Sequence, residues 1–217
     1  MSSMSESIFA EERIALPERL LKDRLVVTFP DRGMTNLVAG VEVMVQEGIT
    51  CFSVPAGQLY ALPQVQGMYS LRACFGVHDV DVDTIEDVLA LAPSFITVRR
   101  PDSRLIGRCH QAGIAVVVPA LTPTEVQTAW DEPVSAVVIV PAEVMGASYA
   151  EYLPPLVPDT TLMARGGLGA YSARRWDEAG AVALFLDDAL LGDAFTGGSL
   201  GSLRERCQTF RQAVDVA

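Results

Sequence analysis

The stretch IAVVVPALTPTEVQTAWDEPVSAVVIV, residues 114–140, decides the fold. It opens on a run of β-branched residues, passes through Thr122-Pro123-Thr124-Glu125, and closes on a second apolar run. Threonine offers an N-cap oxygen, and proline suits the first helical position, where no N–H is needed. An early glutamate suits the positive end of the helix. The reading is strand, helix, strand. Both strands are apolar on both faces, as in a parallel βαβ unit covered on either side.

The same grammar runs outward in both directions. Strands are expected at 25–29, 50–54, 71–77, 95–98, 114–118, 136–140, 161–164 and 182–186, with helical segments between them. Gly48, Gly113 and Gly180 each fall just before a strand, where a helix C-cap calls for a left-handed residue. Eight such strands favour a closed (β/α)8 TIM barrel over an open doubly wound sheet. The weakest segment is 58–70, where Pro63 and Gly67 leave room for little more than a short or irregular helix, so the barrel is expected to loosen there. Before the first strand, 11–22 reads as an extra amphipathic helix with Ile14, Leu16, Leu20 and Leu21 inward. After the last, Leu200, Leu203, Cys207, Phe210 and Val214 repeat at helical spacing. We expect one domain over 1–217, comprising an N-terminal helical segment (1–24) and a barrel (25–217).

Composition narrows the partners. A net charge of −11 repels nucleic acid phosphates and anionic lipid heads, so neither nucleic acid nor membrane is an expected partner. There is no basic leader and no apolar run of the ~18 residues a membrane span needs, which points to a cytoplasmic protein. Cys51, Cys74, Cys109 and Cys207 lack metal-type or redox-type spacing and read as reduced, structural thiols. The chain has fifteen arginines but a single lysine, Lys22.

Three runs carry a family likeness: ALTPTEVQTAW (120–130), VVIVPAEVMG (137–146) and ARGGLGAYSARRW (164–176). With the order of the strands around them, they make the chain resemble the 2-keto-3-deoxy-6-phosphogluconate and 4-hydroxy-2-oxoglutarate aldolases. That resemblance implies a trimeric (β/α)8 barrel and cleavage of keto acids through a lysine Schiff base. The family's lysine stands three residues before the proline of Pro-Ala-Glu, and the residue here is Val138. Its general acid/base glutamate aligns with Ser53, its pyruvate-binding arginine with Gly57 and its third-strand threonine with Gly76. Of its phosphate cradle, Gly166 and Gly167 remain, whereas the Gly-Ser pair after the eighth strand aligns with Asp187 and Asp188. Valine has no nucleophile, and Lys22, preceding the first strand, should lie at the barrel bottom.

Functional groups of a barrel gather at the C-terminal strand ends. That ring comprises Asp31, Arg32, Ser53, His78, Asp79, Arg99, Arg100, Thr122, Glu143, Arg165, Asp187 and Asp188. Candidate catalytic groups are His78, Asp79 and Glu143. His78 could act as a general base oriented by Asp79, if the chain turns there, or could be a solvated loop histidine. Arg99 and Arg165, with Gly166 and Gly167, are candidates for binding a small carboxylate or keto acid. The arginines could equally neutralise nearby acids. No cofactor is expected. A divalent ion on His78, Glu143 and Asp187 or Asp188 is a minority alternative. Two functions follow: a divergent aldolase-like barrel without Schiff-base chemistry that binds a small carboxylate or serves assembly, or an active lyase or isomerase using acid–base or metal groups at the mouth.

Overall fold

Runs such as Leu25–Thr28 and Ala136–Ile139 are buried at every position, which only a strand covered on both faces can be. The computed structural model describes residues 13–31, 36–69 and 71–214. In chain order it consists of α1 (Glu18–Asp23), β1 (Leu25–Thr28), α2 (Leu37–Gln46), β2 (Cys51–Pro55), α3 (Ala61–Tyr69), β3 (Cys74–Val80), α4 (Ile85–Ala90), β4 (Phe95–Val98) and α5 (Ser103–Gln111). There follow β5 (Ala115–Ala120), α6 (Pro123–Trp130), β6 (Ala136–Ile139), α7 (Tyr149–Tyr152), β7 (Leu162–Arg165), α8 (Ala170–Glu178), β8 (Ala183–Leu186), α9 (Asp188–Leu191) and α10 (Leu200–Ala213). The eight strands pair in sequence order, all parallel, and β8 returns to β1 to close the barrel.

Local chemistry explains the punctuation. Thr122 accepts the Glu125 amide while the Glu125 carboxylate takes the amides of Leu121 and Thr122, a complete capping box for α6. Gly48, Gly113 and Gly180 all have the positive φ expected of them. Two tiers of packing result. An outer core lies between strands and helices, and a smaller cluster fills the barrel. In that inner cluster Phe95 and Phe185 meet edge to face at 6.2 Å, with Val138 and Met163 also wholly buried. All four cysteines are free and buried. Burial pushes Cys109 and Cys207 up to about 12. None of the helices among the described residues is long and apolar enough to cross a membrane.

Four expectations need correction. β3 begins at Cys74 rather than 71, because Leu71 is 91% exposed in the turn before it, and it continues to Val80. α3 is a full helix carrying Pro63 in its first turn, where a missing N–H does no harm, and the barrel does not loosen beside it. The N-terminal helix is shorter than 11–22: Pro17 stands at its N-cap and only Glu18–Asp23 is helical, so Ile14 and Leu16 pack from extended chain against the inner cluster. Leu21 faces out, being 44% exposed. Glu11 lies outside the described residues.

Candidate functional site

Alternation along a strand keeps every second residue inside, and toward the C-terminal ends those inward residues turn polar. Val26 is followed by Thr28, Cys51 by Ser53, Cys74 and Gly76 by His78, and Met163 by Arg165. Ser53 Oγ lies 3.0 Å from His78 Nδ1, both residues buried. Burial and, after it, the Arg165 charge push His78 down to about 3, against the pull of Asp79 and a hydrogen bond to the Ser53 backbone. The imidazole is therefore neutral at physiological pH. Asp79 has φ 58°, within a register irregularity of β3, which swings its carboxylate back to 3.9 Å from His78 Nε2. Arg165 donates to both Asp79 oxygens, at 3.0 and 3.4 Å. Burial raises the Asp79 pKa, but the Arg165 hydrogen bonds and charge, helped by His78 and Arg99, prevail and leave it lowered.

These groups border a cavity of about 590 Å³ at the mouth, with Thr28, Asp31, Gly167, Asp187 and Asp188 also on its wall. Gly166 has φ 99°, and a side chain there would start 3.0 Å from the Pro141 backbone. Gly167, at φ 77°, turns its amide onto Asp187 Oδ2, 3.0 Å away. A carboxylate of the chain itself thus occupies the backbone donor that could otherwise greet an anion. Thr28 is 6% exposed, and its Oγ1 is buried without a hydrogen-bond partner.

No protein-family model matches this sequence, and a comparison with curated proteins finds no match either. Solved structures do match. The native KDPGal structure superposes with a TM-score of 0.77 at 21% identity, over 87% of this chain and 93% of that one. A 4-hydroxy-2-oxoglutarate/2-dehydro-3-deoxyphosphogluconate aldolase gives 0.77 at 19% identity, over 91% and 97%. This is the fold of the 2-keto-3-deoxy-6-phosphogluconate aldolases. A thiamine phosphate pyrophosphorylase from Pyrococcus furiosus also matches, with a TM-score of 0.67 at 16% identity over 90% of this chain and 98% of that one. One architecture hosts more than one chemistry, so activity must be argued from the residues.

Within this aldolase fold the mouth gathers His78, Asp79, Arg165 and Gly167, with Gly166 forming the turn beside them. His78 is no solvated loop residue: at 3% exposure on β3 it belongs to the barrel interior. Arg99 does not line the cavity. It is 62% exposed and pairs with Asp81 at 3.4 Å. Glu143 is exposed, contributes its amide to Gly166 O and packs its Cβ near Gly167, also away from the wall of the cavity. The proposed metal set therefore does not converge, and no other group of three such ligands does so among the described residues. Thr122 is engaged in its capping box. Arg32 lies outside the described residues. Thr28 and the Ser53–His78 contact were missed as site features. Extending the inward alternation of β1 and β3 by one residue pair would have found them.

Beneath the mouth the aldolase-fold interior is plugged. A side chain on Gly76 would meet the Phe95 ring at 2.3 Å, so the glycine exists to admit that ring. Val138, between Pro119 and Met163 in the ladder, is wholly buried. Lys22 is exposed and lines a separate cavity of about 540 Å³ with Ala73, Cys74 and Ser94, at the N-terminal strand ends.

Proposed function

We propose that this chain is an aldolase-fold barrel that binds a small molecule at its mouth and has given up Schiff-base aldol cleavage. One observation carries the reading. The position where the resemblance requires an amine is Val138, wholly buried among apolar side chains, while the chain's one lysine, Lys22, stands at the other end of the barrel. Without an iminium nothing withdraws the electron pair of the breaking carbon–carbon bond. The other replaced positions have taken structural work. Ser53 contacts His78, Gly57 lies under the Asp31 carboxylate, and Gly76 receives Phe95. Phosphate is disfavoured because Asp187 already holds the Gly167 amide. Expected binding of a small carboxylate loses its two arginines, since Arg165 is engaged by Asp79 and Arg99 by Asp81.

Enamine formation exchanges the methyl protons of pyruvate with solvent. Proton NMR in deuterated buffer should therefore show pyruvate exchanging at the same rate with and without the protein. Acceleration proportional to protein concentration would overturn the proposal.

A second reading keeps the barrel an enzyme, a lyase or isomerase working through His78 and Asp79. It is favoured by their 3.9 Å approach on the cavity wall. Against it, an imidazole whose pKa is near 3 is a poor general base at neutral pH. Turnover of small keto or hydroxy acids, with or without divalent ions, would favour this reading. We extend the proposal to a homo-oligomer, a trimer by resemblance, which light scattering checks directly.

A further inference from the structure

We propose that the mouth is a binding site for a small organic cation, a hydroxylated primary ammonium compound of about monosaccharide size held by Thr28 and the carboxylates Asp31, Asp187 and Asp188. This deepens, and rests on, the reading of the mouth as a ligand site.

Charge comes first. The described wall of the cavity carries four carboxylates, Asp31, Asp79, Asp187 and Asp188, against one guanidinium, Arg165. His78 adds no positive charge, because burial and Arg165 keep it neutral down to about pH 3. Arg165 neutralises Asp79 through its two hydrogen bonds, so the excess negative charge sits on the side formed by the loops after β1 and β8. A low-dielectric wall focuses such a field and raises the local concentration of cations.

An acidic lining alone names no ligand. The second observation is Thr28 Oγ1: on a residue only 6% exposed, it borders the cavity and has no hydrogen-bond partner. A buried hydroxyl without a partner is unfavourable, and an occupant that offers a hydroxyl or carbonyl there removes the penalty. Thr28 follows Val26 on the inward face of β1, so its side chain belongs to the barrel rather than to the outer helices.

Geometry then separates an organic cation from a metal ion. Among the described residues no three carboxylate, imidazole or thiol groups come close enough to share one ion. A ligand of several atoms can instead reach the hydroxyl and the acidic side together, and about 590 Å³ lies within the usual range for small-molecule sites.

The test is calorimetric titration of the intact protein with three sugars that differ chiefly in charge: glucosamine, glucose and glucuronate. Glucosamine should bind about tenfold more tightly than glucose, the discrimination expected of a charge-assisted hydrogen bond, and glucuronate should not bind. Added salt should weaken glucosamine alone. Asp31→Asn and Asp188→Asn, both at exposed positions, should each weaken glucosamine severalfold without changing glucose, whereas Thr28→Val should weaken both sugars alike. The proposal is overturned if glucosamine does not saturate in the millimolar range, if glucuronate binds as well, or if the two asparagine variants bind glucosamine unchanged. Pyruvate exchange reports only on amine chemistry, so it can fail while cation binding stands, and the reverse.

Discussion

Arg165 on β7 and Asp79 on β3 grip one another across the barrel mouth, guanidinium nitrogens 3.0 and 3.4 Å from the two carboxylate oxygens. This pair sets the state of the histidine behind it. Arg165→Met removes one of the two causes that depress His78 and leaves Asp79 pulling unopposed, so the His78 pKa should climb from about 3 toward 6.5. Asp79→Asn should leave it low. With only two histidines in the chain, an NMR titration of the ring protons reads this directly. An unmoved His78 in Arg165→Met would refute the coupling.

The same histidine gives the fold an acid limit. Its folded pKa, about 3, lies below the ordinary 6.5, so between those values the unfolded chain holds a proton that the folded chain refuses. Stability from this group is fully present above pH 6.5 and falls as the pH drops toward 3, by up to about 1.4 kcal/mol per pH unit. Urea unfolding at several pH values should show that slope. It should flatten in His78→Gln, whatever the variant's stability at neutral pH.

Gly76 and Phe95 form a matched pair inside the barrel. Gly76→Ala drives a methyl into the Phe95 ring and should destabilise by about 1–3 kcal/mol. Combined with Phe95→Leu it should recover part of that loss, with a coupling above about 0.5 kcal/mol in a double-mutant cycle. Simple additivity would mean that the glycine is there for another reason.

Asp187 explains why the surviving glycine pair need not bind phosphate. In the double variant Asp187→Gly, Asp188→Ser, the Gly167 amide loses its internal acceptor and the mouth loses two negative charges. Inorganic phosphate, for which the parent chain should show no saturable binding, should then bind in the millimolar range by calorimetry.

The barrel was legible because burial on both faces writes strands as unbroken apolar runs, and because Gly48, Gly113 and Gly180 mark the helix ends through a backbone angle that glycine adopts most readily. Leu71 misled for the converse reason: a large apolar residue beside a strand reads as part of it, yet here it is 91% exposed. At the mouth, His78, Asp79, Arg165 and Gly167 could be placed from strand order alone. Who pairs with whom could not. Arg99 and Arg165 are the same residue type at equivalent strand ends, and only the irregularity at Asp79 decides that Arg165 takes that carboxylate while Arg99 takes Asp81. A local φ of 58° leaves no trace in residue order.

The account stands on Val138 replacing an amine at the heart of the barrel. Incubation with pyruvate and sodium borohydride, followed by intact-mass measurement, reduces any Schiff base to a stable adduct on the protein. We predict an unchanged mass after long incubation with excess pyruvate. A stoichiometric gain of one reduced pyruvoyl group, on Lys22 or any other amine, would contradict the central claim.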